Sequence, residues 1–266
     1  MRRSRFPFIV TGLVLVFFYL PILILVVDSF NSSRFGGAWR GFSLKWYARL
    51  FHEPAVWESA RNTLFIALLV TFVSLVLGTT SALALHRFST SRLQRFHYTL
   101  VYTPLVVPEI LMGISLLMAF VAAGIRLGIL TIILAHVTFC VSYVALTVLG
   151  RLQDFDFTIV EAARDLGASS WVAARRVLLP MLAPGLAAAG LIAFTLSVDD
   201  FVITFFVAGP GATTLPIRVY SMIKHGATPL INALSTLLLA LTFTTVLISQ
   251  RLSASGALKS RTAEQT

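Results

Sequence analysis

Six stretches of this chain, roughly 8–27, 63–85, 98–123, 128–149, 182–207 and 231–250, stay apolar for about twenty residues or more. Twenty helical residues at 1.5 Å each match the ~30 Å hydrocarbon core of a bilayer, so each stretch is long enough to cross it. Lipid offers no partner for a free N–H or C=O, and a chain with this pattern is therefore restricted to helices that satisfy their own backbone. The expected fold is all-α: one polytopic bundle of six spans over residues 1–266. Composition agrees, with 57% hydrophobic residues, 12% charged residues and a mean hydropathy of +0.87, far from a soluble globule. The net charge of +10 is scattered as single residues between apolar runs and makes no basic stripe, which argues for membrane topology and lipid contact and against nucleic acid.

With the N-terminus inside, 13 Lys and Arg residues fall in the cytoplasmic segments and 8 on the opposite side, so both termini are expected in the cytoplasm. The first stretch follows Arg2, Arg3 and Arg5 but ends in Val26-Val27-Asp28-Ser29-Phe30 without a small-residue cleavage site, and reads as a retained helix. The following outer loop, about 28–62, carries Trp39, Trp46, Tyr47 and Trp57, which suit either a headgroup-level aromatic belt or contact with a partner on that face. Cys140 stands alone, so no intrachain disulfide or thiolate cluster can form, and it reads as a small buried residue.

Between the fourth and fifth stretches, residues 154–181 read as two short helices around a turn on the cytoplasmic side. Thr158 with Glu161 has the spacing of a capping box, Leu166-Gly167 supplies a helix stop, and Ser169 or Ser170 can cap a second helix. Pro180 and Pro184 are expected to separate that second helix from the fifth span. Ile159, Ala162, Ala163 and Leu166 form one apolar stripe on a helix too short to stand alone in water, so it must dock on its own membrane domain, another subunit, or both.

This loop resembles the EAA loop of ATP-binding-cassette (ABC) importer permeases: Glu161-Ala162-Ala163, three residues, Gly167, nine residues, then Val177-x-Leu179-Pro180, with Val177 where Ile is usual. The resemblance narrows to the polyamine (spermidine/putrescine) permeases through Asp28–Ser32, Gly41–Tyr47, Pro108-Glu109-Ile110, Ala135–Phe139, Arg151–Asp156, Phe194–Phe201, Thr214–Pro216 and Asn232–Thr236. It implies a bacterial inner-membrane permease that forms half of a translocation pathway, pairs with a second permease subunit, and works with two copies of a cytoplasmic ATPase and a periplasmic binding protein. It also implies that Glu161, Ala162, Ala163, Gly167, Val177, Leu179 and Pro180 couple to that ATPase. No Gly-x-x-x-x-Gly-Lys-Ser/Thr occurs, so ATP and its magnesium are expected on the ATPase and no cofactor on this chain.

Glu109, Asp199 and Asp200 lie within the apolar stretches, where a carboxylate needs a partner or a water-filled path. They are the candidate substrate pathway, since fixed negative charge suits a cationic cargo. Asp199 and Asp200 point about 100° apart on a continuous helix, so both can face one pore only if the helix breaks there. Pro104 and Pro108 predict a kink or unwinding, with a cavity, beside Glu109. Histidines 52, 86, 97, 136 and 225 lack metal-ligand spacing, and His136 is expected to hydrogen-bond within the bundle. An intramembrane enzyme using the three carboxylates lacks any accompanying triad, metal motif or cofactor loop. An ATP-independent channel or secondary carrier conflicts with the EAA loop and shows no inverted repeat. The same architecture carrying another small solute is the nearer alternative.

Overall fold

The computed structural model describes residues 6–34, 38–87, 92–224, 226 and 229–244. Contacts divide the chain into two compact units, residues 55–218 and residues 1–54 with 219–266.

The smaller unit begins with α1 (Phe6–Ser29). After a loop come α2 (Lys45–Phe51) and, near the chain's end, an apolar helix over Pro229–Thr244. Asn31 organises the loop: its amide oxygen accepts from Ser33 N and Arg40 N at 3.0 Å each, and its amide nitrogen donates to Ala38 O at 3.1 Å. Trp46 Nε1 donates to Asn31 O at 2.8 Å, Tyr47 Oη meets Ser29 Oγ at 2.6 Å, and Phe30 stacks on Phe42 and meets the Tyr47 ring at a tilt of 33°. Trp46 is buried and Tyr47 half-buried, so these two hold this loop together, whereas Trp39 and Trp57 are exposed. An isolated antiparallel bridge joins Asn31 to Phe42, and no strand occurs among the described residues.

The larger unit contains α3 (Pro54–Arg87), α4 (Arg92–Val106), α5 (Glu109–Ala122), α6 (Ile129–Gln153), α7 (Thr158–Asp165), α8 (Ser170–Ala173), α9 (Leu179–Asp199) and α10 (Val202–Val207). Among the described residues four helices are long and apolar enough to cross a membrane, 6–29, 54–87, 129–153 and 170–199, or five if α4 and α5 count as one bent span. That bend is 112° and falls at Val107-Pro108, where the proline pair was expected to disturb the third stretch. The last six residues of the sixth stretch, 245–250, lie outside the described residues.

Between helices in lipid the driving force is close packing rather than escape from water, and small residues permit it. The buried face of α9 is Leu182, Gly185, Ala189, Gly190, Ala193 and Ser197, and it meets a face of α6 that includes Ala135, His136, Phe139 and Cys140. Cys140 is buried, with Sγ 3.6 Å from Ala193 O. On the other side of α6, a Cβ added at Gly78 of α3 would stand 2.6 Å from Val144 Cγ1. On the outward faces, the hydroxyls of Thr80, Thr138 and Thr195 bond back to the carbonyls four residues earlier, which satisfies them without a second helix.

The fifth stretch departs from expectation at both ends. Pro180 and Pro184 do not separate it from the loop before it: α8, a π-helical turn at Ala174–Leu178 and α9 run on as one helix from Ser170 to Asp199. The π turn ends at Leu178, just before Pro180, so the locally widened backbone stands where the proline ring and its missing N–H would disturb a regular α-helix, and the helix runs on. The break comes instead at Asp200-Phe201, after which α10 begins.

Candidate functional site

Two places gather the residues singled out from sequence. The first is the loop over residues 154–181. Helix α7 opens without the expected capping box, because Thr158 is already its first residue and Phe157 is the cap. Asp156 does the capping, accepting Thr158 N at 3.0 Å. Hydrogen bonds from the Thr158 hydroxyl and backbone hold the Asp156 carboxyl below the usual carboxylate range. A depressed folded-state value stabilises the turn above the unfolded value and loses that contribution as pH falls through the lower one, hence below about pH 4. Asp156→Ala is therefore expected to speed amide exchange at Ile159 to Glu161 at neutral pH and to remove the additional loosening that wild type shows on acidification.

Helix α7 ends in a complete Schellman motif: Gly167, at φ +89°, donates to Arg164 O at 2.9 Å and Ala168 donates to Ala163 O at 3.1 Å. Ser169 then caps α8, its Oγ accepting from Val172 N at 3.3 Å. Docking on the chain's own bundle uses Phe157 and Val160, which pack on the core with Phe155, while His86 at the end of α3 stacks on Phe157 at 4.7 Å. The stripe splits: Ala163 is half-buried, whereas Ile159, Ala162 and Leu166 face outward, with Leu166 90% exposed and Trp171 beside them 71% exposed. So much open apolar surface on a polar loop marks a contact surface. Glu161 lines a cavity of about 680 Å³ together with Arg164, Ser170, His86 and Arg87. Val177 lies half-buried in the π turn, and Leu179 and Pro180 start α9 on its exposed side.

The second place is the break in the fifth stretch. Asp200, whose side chain is 6% exposed, accepts Ile203 N at 3.3 Å, Thr204 N at 2.8 Å and the Thr204 hydroxyl at 2.7 Å, and so caps α10. His136 reaches it from α6, with Nε2 3.1 Å from Asp200 Oδ2 and 2.9 Å from Thr204 Oγ1, and Nδ1 2.8 Å from Ser197 Oγ. Asp199, the last residue of α9, is exposed, as is Glu109 in the first turn of α5. The three carboxylates thus separate: Asp200 is committed to the helix cap, and Asp199 and Glu109 are open. Sequence reasoning found His136 as an internal bonder but missed Ser197 and Thr204, whose sole signal is a hydroxyl in an apolar run.

The outer end of this region is pinned independently. Thr131 Oγ1 accepts from Gly128 N and can donate to Val207 O, each at 2.8 Å. Asn62 Nδ2 donates to Thr213 O at 3.1 Å, and Thr63 Oγ1 accepts from Leu215 N at 2.8 Å. Gly209 lies against the Leu127 carbonyl so closely that a Cβ there would overlap it and stand 2.9 Å from Gly128 N.

Residues 74–255 match the family described as binding-protein-dependent transport system inner membrane component. The chain is 42% identical over 234 residues to the spermidine/putrescine transport system permease protein PotC of Escherichia coli K12, covering 88% of each. It is 42% identical over 243 residues to the putrescine transport system permease protein PotI of the same organism, covering 89% of this chain and 86% of that one. Among solved structures it resembles, at a TM-score of 0.74 and 15% identity over 94% of its length and 98% of the other chain, a bacterial ABC transporter involved in the import of the acidic polysaccharide alginate.

Proposed function

The chain belongs to the family of binding-protein-dependent transport system inner membrane components and is the permease subunit of an ABC importer, and on that premise we propose that its cargo is a polyamine, spermidine or putrescine. Near-full-length kinship with two polyamine permeases carries this reading. Asp199 supports it, since an exposed carboxylate at a helix break can replace part of the hydration of an ammonium group. Glu109 is a second candidate on the same grounds, and Asp200 acts indirectly by capping α10.

The subunit pairs with a second permease to enclose the pathway, both termini lie in the cytoplasm, and two ATPase copies bind the nucleotide and magnesium. The outward stripe Ile159, Ala162 and Leu166, with Glu161 and Trp171, is the surface that meets the ATPase. Val177, Leu179 and Pro180 join that surface to the fifth span.

The test is ATP-dependent uptake of radiolabelled spermidine, putrescine and an unrelated solute by vesicles carrying the complete complex. Polyamine uptake is expected, and Asp199→Asn should lower it by at least about tenfold. Uptake of the unrelated solute alone would overturn the cargo and leave the permease assignment standing.

A further inference from the structure

We propose that His136 is a positioning residue for transport, a latch that ties the end of α9 to α10 and holds the fifth span broken between them. The ring is 1% exposed and sits on a third helix, α6. Its two nitrogens engage different sides of the break: Nδ1 bonds Ser197 in the last turn of α9, and Nε2 bonds Thr204 in α10 and Asp200 in the gap.

Proton bookkeeping fixes most of the pattern. The Thr204 hydroxyl gives its one proton to Asp200, so His136 Nε2 must be the donor toward both oxygens. A neutral ring then leaves Nδ1 to accept from Ser197, and every polar atom of the cluster is used.

Geometry makes the latch specific for a broken helix. Ser197 and Thr204 are seven residues apart, which on a continuous helix separates them by about 10.5 Å. Side chains on such a helix lean the same way, so their oxygens would be as far apart. Two hydrogen bonds and the width of an imidazole reach no more than about 8 Å. One ring can hold both hydroxyls only because the chain is unwound at Asp200-Phe201. Rewinding would break the latch, and losing the latch frees the segment that sets the direction of Asp199. The inference rests in that last respect on Asp199 lining the cargo path.

The experiment compares wild type, His136→Leu, His136→Gln, Ser197→Ala, Thr204→Val and Asp199→Asn in proteoliposomes of the complete complex, reading spermidine moved per ATP hydrolysed. Loss of the latch in His136→Leu or Thr204→Val should lower that ratio by about tenfold. His136→Gln, which keeps a donor toward Asp200 and Thr204, should recover part of it. A double variant, His136→Leu with Thr204→Val, should be no worse than either single one, because both remove the same connection. The concentration of loaded binding protein at half-maximal rate should not move.

A second readout does not depend on the cargo. Spin labels on cysteines introduced at the exposed Leu191 and Phe205 should report a changed distance in His136→Leu. An unchanged ratio and distance in an assembled His136→Leu complex, or fully additive single effects, would sink the latch. If His136→Leu fails to assemble, Ser197→Ala and Thr204→Val, which each delete one hydroxyl or exchange it for a methyl, decide in its place. Normal uptake by Asp199→Asn with an altered distance in His136→Leu would remove Asp199 from the cargo path and keep the latch; the reverse pair of results would do the opposite. Should wild type move no polyamine, the cargo reading fails and the distance still decides.

Discussion

Gly167→Val will reach the membrane in normal amounts and import nothing. Nothing lies within 4 Å of a Cβ built at Gly167, so the damage is purely conformational. The residue sits at φ +89°, where a side chain costs about 1–2 kcal/mol and a β-branched one more. The Schellman bonds from Gly167 and Ala168 cannot survive a return to negative φ, so α7 and α8 would change their mutual angle and the outward stripe its shape. A graded series separates this cause from a general loss of fold: Gly167→Asn should retain most transport, Gly167→Ala part of it and Gly167→Val none. Glu161→Ala, which leaves the turn intact, should also abolish uptake by removing a side chain from the contact surface. Both losses should appear as reduced co-purification of the ATPase at unchanged permease level. Normal uptake by Glu161→Ala and Gly167→Val together would remove the coupling role from this loop.

Gly209→Ala acts by the opposite cause and should remove the protein itself. Its Cβ would meet backbone, the Leu127 carbonyl and Gly128 N, and neither can swing aside like a rotamer. Overpacking of a rigid site costs typically about 1–3 kcal/mol and more when backbone must shift. The same movement would disturb Thr131, which holds the start of α6 to the end of α10. Membrane levels of Gly209→Ala should fall several-fold and the detergent-solubilised melting temperature should drop. Gly190→Ala is the control: its Cβ meets the flexible end of Leu75 at 3.2 Å, and near-normal levels are expected. Equal behaviour of the two variants would show that the approach at Leu127 is not limiting.

Much of the local chemistry was legible where the partners are neighbours in sequence. The helix stop at Gly167, the cap at Ser169 and the break near Pro108 all depend on residues within a turn of one another. The capping box failed because Asp156, two residues before Thr158, offers a charged acceptor to the same N–H. The prolines misled for a related reason: a π turn at Ala174–Leu178 widens the backbone just before Pro180, and the helix continues through both prolines. The site at Asp200 was beyond local reading altogether. Whether a carboxylate caps a helix or faces a pore is decided by His136, 64 positions away, and by a break that no proline or glycine announces. The bar on both aspartates facing one pore held for an unbroken helix, and the helix breaks at Asp200-Phe201.

The helix from Ser170 to Asp199 begins on the loop and ends at the aspartate pair, 30 residues or about 45 Å in all. Its ladder is weakened at the π turn and again at Pro184, both within the half nearest the loop. Flexing is therefore concentrated near the loop end, and the stretch from Gly185 onward turns as a rigid arm. A swing of ten degrees about its midpoint would carry each end through about 4 Å, by the length of the rod alone. That is more than the width of a hydrogen bond, so a small rotation at one face of the membrane is large enough to rearrange polar contacts near the other.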